Sequence, residues 1–136
     1  MNLEEKIFLA TSQLNKSVPK GLPKSYYSIF GKTALYSMDE LALITATRFF
    51  RSKVYTITSD KIDFISPIEE ETIIEIVSKV IESDEKTVRV KVDIFTEHMY
   101  LNDKSNVLTG YYTFGLSEES KYILIDEKKV VEQEKN

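Results

Sequence analysis

Apolar and polar positions change period once along this chain. Residues 33–50 (TALYSMDELALITATRFF) carry apolar side chains at spacings of three and four, with Leu35, Met38, Ala42, Thr45 and Phe49 in one stripe. The segment holds neither Pro nor Gly and is rich in Ala and Leu, so it predicts a helix of about 27 Å at 1.5 Å per residue. Ala34, Leu41, Ile44 and Ala46 add apolar surface outside the stripe, which predicts a helix covered on most sides.

Beyond the helix the period falls to two. In residues 87–96 (TVRVKVDIFT), Val88, Val90, Val92 and Ile94 alternate with Arg89, Lys91 and Asp93, as on a strand with one protected face. Residues 54–64, 72–82 and 107–116 are similarly rich in β-branched and aromatic residues, and 122–125 reads as a last edge strand. Residues 83–86 and 102–105 are connections of hairpin length. At the other end, residues 6–14 fit a short strand or a helical turn alike. Residues 15–25, with Pro19, Gly21 and Pro23, read as a loop, and 26–31 as a short connecting turn. One long helix followed by a meander of strands implies an α+β domain, its antiparallel sheet curved around the helix. A single helix cannot cover so much apolar strand, so a homodimer is expected, with further assembly to a tetramer or hexamer open.

Composition narrows the function classes. The chain's 136 residues, 42% hydrophobic and 29% charged, suit a single domain over 1–136, with a core of about 6–125 and a charged tail at 127–136 that frays. No apolar run reaches the roughly 20 residues that span a bilayer, and MNLEEKIFLA lacks the pattern of a signal peptide, so no membrane partner is expected. The chain contains no cysteine, which excludes disulfides, thiolate metal sites and a cysteine nucleophile and fits a cytoplasmic protein. A net charge of −4 without a basic face argues against nucleic acid.

Specific residues then carry a resemblance. Phe30-Gly31, Ala34-Leu35 and Met38-Asp39-Glu40 precede ITATRFF. A strand TITSDKIDFISPI follows, with Thr56, Asp60, Ile62, Phe64 and Pro67, and TGYYTFGL closes the set. Together they resemble the hotdog-fold acyl-CoA thioesterase family, whose usual form is FGG-x-x-L-x-x-MDE before an Ala-rich helix and an IDF-x-x-P strand. The resemblance runs from about residue 13 to 125, and the two motifs in combination are far more specific than either alone. It implies hydrolysis of acyl-CoA to free acid and coenzyme A, with no metal or organic cofactor beyond the coenzyme A of the substrate. By the same resemblance, Asp39 activates water, and the Phe30-Gly31 turn, with the N–H groups of Gly31 and Lys32 at the helix start, binds the thioester carbonyl. Thr56 falls at a substrate-binding position, and Lys86 and Thr87 stand where the family has a Gly-Arg-Thr-Ser segment contacting coenzyme A.

Each residue also has a plainer reading. Asp39 and Glu40 would be favoured near any helix start by the helix dipole. Gly31 could be a turn glycine, Lys86 a hairpin lysine, and Asp60 with Asp63 a solvated strand face. His98, the one histidine, has no partner motif and is poorly placed for a hotdog dehydratase. The chain also departs from the family. Lys24 and Tyr27 replace the Asn and Gly of an Asn-His-x-Gly segment, Lys32 replaces the second Gly of FGG, and Ser66 replaces a basic residue. Lys24, if it reaches the site, would pair with Asp39 or bind a phosphate. A non-catalytic module that binds acyl thioesters, as a sensor or carrier, is therefore the alternative to a hydrolase.

Overall fold

Leu3–Ala10 forms a short helix, α1, whose Asn2 cap accepts the Glu5 N–H at 2.8 Å, with Glu4 and Glu5 in its first turn. The computed structural model describes residues 1–63 and 68–117; of residues 24, 27–30, 62 and 63 it describes the backbone alone. Residues 6–14, which suit helix or strand equally, divide between α1 and strand β1, Ser12–Val18. Residues 15–18 are therefore strand rather than loop. They lie at the edge of the sheet, from Ser12 opposite Ser78 to Val18 opposite Thr72, where most side chains face solvent and need not be apolar.

Helix α2 spans Lys24–Phe50, 27 residues or about 40 Å, and so begins well before the segment that the apolar stripe marks. Pro23 stands at its N-cap, and no proline follows it to break the helix. Residues 26–31 thus form helix instead of a turn. Gly31 lies inside it, at a cost of about 1 kcal/mol relative to alanine. The helix ends at Arg51, which adopts the left-handed conformation (φ 52°, ψ 40°).

Strands β2 (Val54–Asp63), β3 (Thr72–Ser83), β4 (Thr87–His98) and β5 (Ser105–Leu116) join β1 in one antiparallel sheet of order β1-β3-β4-β5-β2. Its pairing register shifts at Thr56/Thr58, Val80/Glu82 and Ile94/Phe95. Each such irregularity bends a strand, and together they help curve the sheet around α2. The predicted alternation holds: Val88, Val90, Val92 and Ile94 are all buried. They pack with Ile74, Ile76, Tyr112 and Phe114 against Met38, Leu41, Ala42, Ala46 and Phe49 of α2. Thr45 and Ser78, fully buried, join helix to β3 through a 2.7 Å hydroxyl–hydroxyl hydrogen bond. Helix α1 lies beside α2, with the Lys6 ammonium 4.5 Å from the Phe49 ring centre.

This is the hotdog arrangement that the sequence implies, with a second, short helix added. The helix is less enclosed than its composition predicts, because Leu35, Tyr36 and Leu43 are exposed. The expected strand at 122–125 and the charged tail lie outside the described residues, as do Phe64, Ser66 and Pro67.

Candidate active site

Period-two alternation in β5 turns Tyr112 and Phe114 inward, 3% and 2% exposed, with their rings stacked 6.3 Å apart. Gly110, two residues earlier on the same face, lets α2 come close. A Cβ there would stand 2.9 Å from Met38 Cε and 3.1 Å from the Tyr112 ring. At this approach Tyr112 Oη donates a 2.7 Å hydrogen bond to Asp39 Oδ1. Burial first, and then the Asp39 carboxylate, push the Tyr112 phenol well above its ordinary range, so it remains a donor at neutral pH.

The same carboxylate oxygen is met from the other side by Lys61 Nζ at 3.1 Å, and that ammonium lies 5.7 Å from the centre of the Tyr112 ring. Lys61 stands opposite Gly110 in the β2–β5 register. Its inward aim depends on the irregularity at Ile57. Thr56 and Ser59, three apart, both line the Asp39 cleft, whereas Thr58 and Asp60 line a groove with Arg89 and Tyr111. In a regular strand residues three apart would face opposite ways.

Asp39 thus opens into a cleft of about 380 Å³, walled by Tyr36, Leu43 and Phe114, with the hydroxyls of Thr56 and Ser59 beside it. Its side chain is 54% exposed and that of Lys61 30%. The carboxylate is oriented by two donors on Oδ1, and among the described residues no donor reaches Oδ2. Such a group can take a proton from a water held against a substrate in the cleft.

The structure therefore brings Asp39 and Thr56 together and separates the other residues singled out by sequence. Phe30, Gly31 and Lys32 lie within α2, where the N–H of each residue is directed at the carbonyl four residues earlier. No free amides are left there for a carbonyl, and Asp39 is mid-helix, beyond the reach of the end dipole. What orients its charge is Lys61 and Tyr112. Lys32 retains a place near the site, exposed on the helix face of Tyr36 and Leu43, about 10 Å along the axis from Asp39. Lys24 opens α2 about 22 Å from Asp39 along the axis, too far for an ion pair within one chain. Lys86 lies in the β3–β4 turn and Thr87 opens β4, their N–H groups donating to Asp84 Oδ1 at 2.9 and 2.8 Å and lowering that carboxyl's pKa. Thr87 and Asp60 line the groove with Arg89 and Tyr111, apart from the Asp39 cleft. Sequence reasoning passed over Tyr112 and Lys61. The alternation of TGYYTFGL was a usable signal for the first, and the bulge that aims the second leaves none.

Residues 29–101, more than half of the chain, match the Thioesterase superfamily, and the protein belongs to that family. It is similar to the uncharacterised acyl-CoA thioester hydrolase YkhA of Bacillus subtilis (strain 168), with 26% identity over 90 residues. That match takes in 66% of this chain and 52% of YkhA, so the chain spans about half the length of the curated relative it matches. Among solved structures it is similar to an acyl-CoA hydrolase from Bacillus cereus, at a TM-score of 0.70 and 26% identity over 84% of this chain and 70% of that one. It is also similar to the Staphylococcus aureus acyl-CoA hydrolase in complex with butyryl coenzyme A, coenzyme A and coenzyme A disulfide. There the TM-score is 0.69 with 23% identity, over 95% of this chain and 88% of that one, a likeness of fold.

Proposed function

We propose that this protein hydrolyses acyl-CoA thioesters to the free acid and coenzyme A, with Asp39 activating the attacking water. The observation that carries this is the Asp39 carboxylate, held through Oδ1 by Tyr112 and Lys61 at the side of an apolar-walled cleft. Membership of the Thioesterase superfamily and likeness to acyl-CoA hydrolases support the substrate class. The acyl chain would lie against Tyr36, Leu43 and Phe114, with Thr56 beside the thioester. Lys32, near the cleft on the same helix face, is a candidate for a coenzyme A phosphate, as is Lys86 in the β3–β4 turn, whose carbonyl accepts the Leu116 N–H at 2.8 Å. The reaction so written draws on no metal or organic cofactor.

The functional unit we propose is a homodimer. Exposed Tyr36 and Leu43 on α2 line the cleft, exposed Leu35 lies on the same helix, and exposed Tyr55 and Ile57 belong to β2, an edge strand among the described residues. A second copy on this face would close the cleft and hide an edge strand. A chain without cysteine suits the cytoplasm, where we place it.

Thiol release from a panel of straight-chain acyl-CoAs tests the proposal. The expected result is turnover that falls by about two orders of magnitude in Asp39→Asn, with the melting temperature retained. Tight acyl-CoA binding without thiol release would instead favour the sensor or carrier reading, to which the Lys61–Asp39 ion pair lends some support.

A further inference from the structure

Hydrolysis requires a donor for the carbonyl oxygen as it becomes an oxyanion, and within one chain the start of α2 does not supply one at Asp39. We infer that the Lys61 ammonium binds the thioester carbonyl oxygen and carries the charge that develops on it. The inference rests on the hydrolase reading above.

Three observations support this role. Lys61 Nζ lies 3.1 Å from Asp39 Oδ1, so a carbonyl in contact with it is within one water of the base. An ammonium has three N–H donors, and the Asp39 contact uses one. The side chain is 30% exposed and lies against Asp39 and the Tyr112 ring, both of which line the cleft. The neighbouring donors are weaker candidates. Tyr112 has a single proton, already given to Asp39. Thr56 and Ser59 bring neutral hydroxyls, and a charged donor is roughly twice as strong.

In the step that follows, the water oxygen bonds to the carbonyl carbon while the C=O π pair moves onto oxygen beside Lys61. The water's proton passes to Asp39 Oδ2. The oxyanion then collapses, the C–S bond breaks, and the departing thiolate takes the proton from Asp39. Acid and thiol leave, with Asp39 ionised again and Lys61 unchanged.

The experiment compares the parent with Lys61→Met, Lys61→Gln and Lys61→Arg, using the acyl-CoA turned over fastest and two stable analogues. One is the thioether, which lacks a carbonyl; the other is the trifluoromethyl ketone, which hydrates to a tetrahedral adduct. Removing an oxyanion donor predicts a kcat lower by about 100- to 1,000-fold in Lys61→Met and Lys61→Gln, with KM within about threefold of the parent. Ketone affinity should fall by a similar factor, thioether affinity should hold, and Lys61→Arg should recover part of kcat. Melting temperatures show whether each variant is folded, and either neutral variant suffices. A kcat within about fivefold of the parent in a folded neutral variant overturns the inference while leaving an Asp39-dependent hydrolase intact. Equal weakening of both analogues also overturns it, since Lys61 would then only shape the cleft. A parent that releases no thiol from any acyl-CoA overturns the hydrolase reading, and this inference with it.

Discussion

Removing the hydroxyl of Tyr112 should change stability in opposite directions on the two sides of an alkaline pH that the structure sets. At pH 8, Tyr112→Phe loses a 2.7 Å hydrogen bond to an ionised acceptor while its ring stays packed on Phe114. Hydrogen bonds to charged groups contribute about 1.5–3 kcal/mol. With the Asp39 side chain 54% exposed, water replaces much of that, and the expected loss is about 1 kcal/mol. Above the ordinary tyrosine value of 10.0 the balance changes. The unfolded chain gives up this phenolic proton, whereas the folded protein, its pKa raised, still holds it. Unfolding of the parent is therefore favoured by up to about 1.4 kcal/mol per further pH unit, a term that phenylalanine abolishes. The two stabilities should meet near pH ~10.7, and by pH ~11 the variant should be the more stable. Groups far from Tyr112 and Asp39 are common to both proteins and cancel in the difference. Urea unfolding at half-unit intervals from pH 8 to 11 measures it. An offset that stays constant across that range would refute a buried, protonated Tyr112 on Asp39.

Other outcomes follow from separate features. Thr45→Val leaves the buried Ser78 hydroxyl without its partner and should destabilise by about 1–3 kcal/mol; adding Ser78→Ala should recover part of this, and strict additivity by urea unfolding would contradict the contact. Arg51→Gly, at a left-handed helix end, should raise stability by about 0.5–1 kcal/mol in thermal melts, and a loss would show that Arg51 is not strained there. Sedimentation should find a dimer or a multiple of it, with Ile57→Lys on the β2 edge shifting the population toward the 15.7 kDa chain; a parent that is monomeric at micromolar concentration removes the proposed interface.

The strands and the core were legible in the sequence because burial leaves a period. Val88 to Ile94 alternate since one sheet face meets α2, and the central helix is marked by Met38, Ala42, Thr45 and Phe49, all buried as read. The MDE and IDF motifs likewise pointed to the family and to Asp39. Where burial is one-sided or slight the pattern fades. Residues 15–18 of β1 looked like a loop, and the early turns of α2 looked like a connection, although nothing in the backbone of those turns forbade helix. The site was less legible still, because its geometry depends on contacts between distant segments. Asp39 is joined by a tyrosine 73 residues away, admitted by the close approach of Met38 at Gly110. The lysine that pairs with it comes from β2, where a single extra residue at Ile57 decides which side chains face inward. Sequence named the carboxylate through its motif; only the packing of helix on sheet decided which cation and which hydroxyl would hold it.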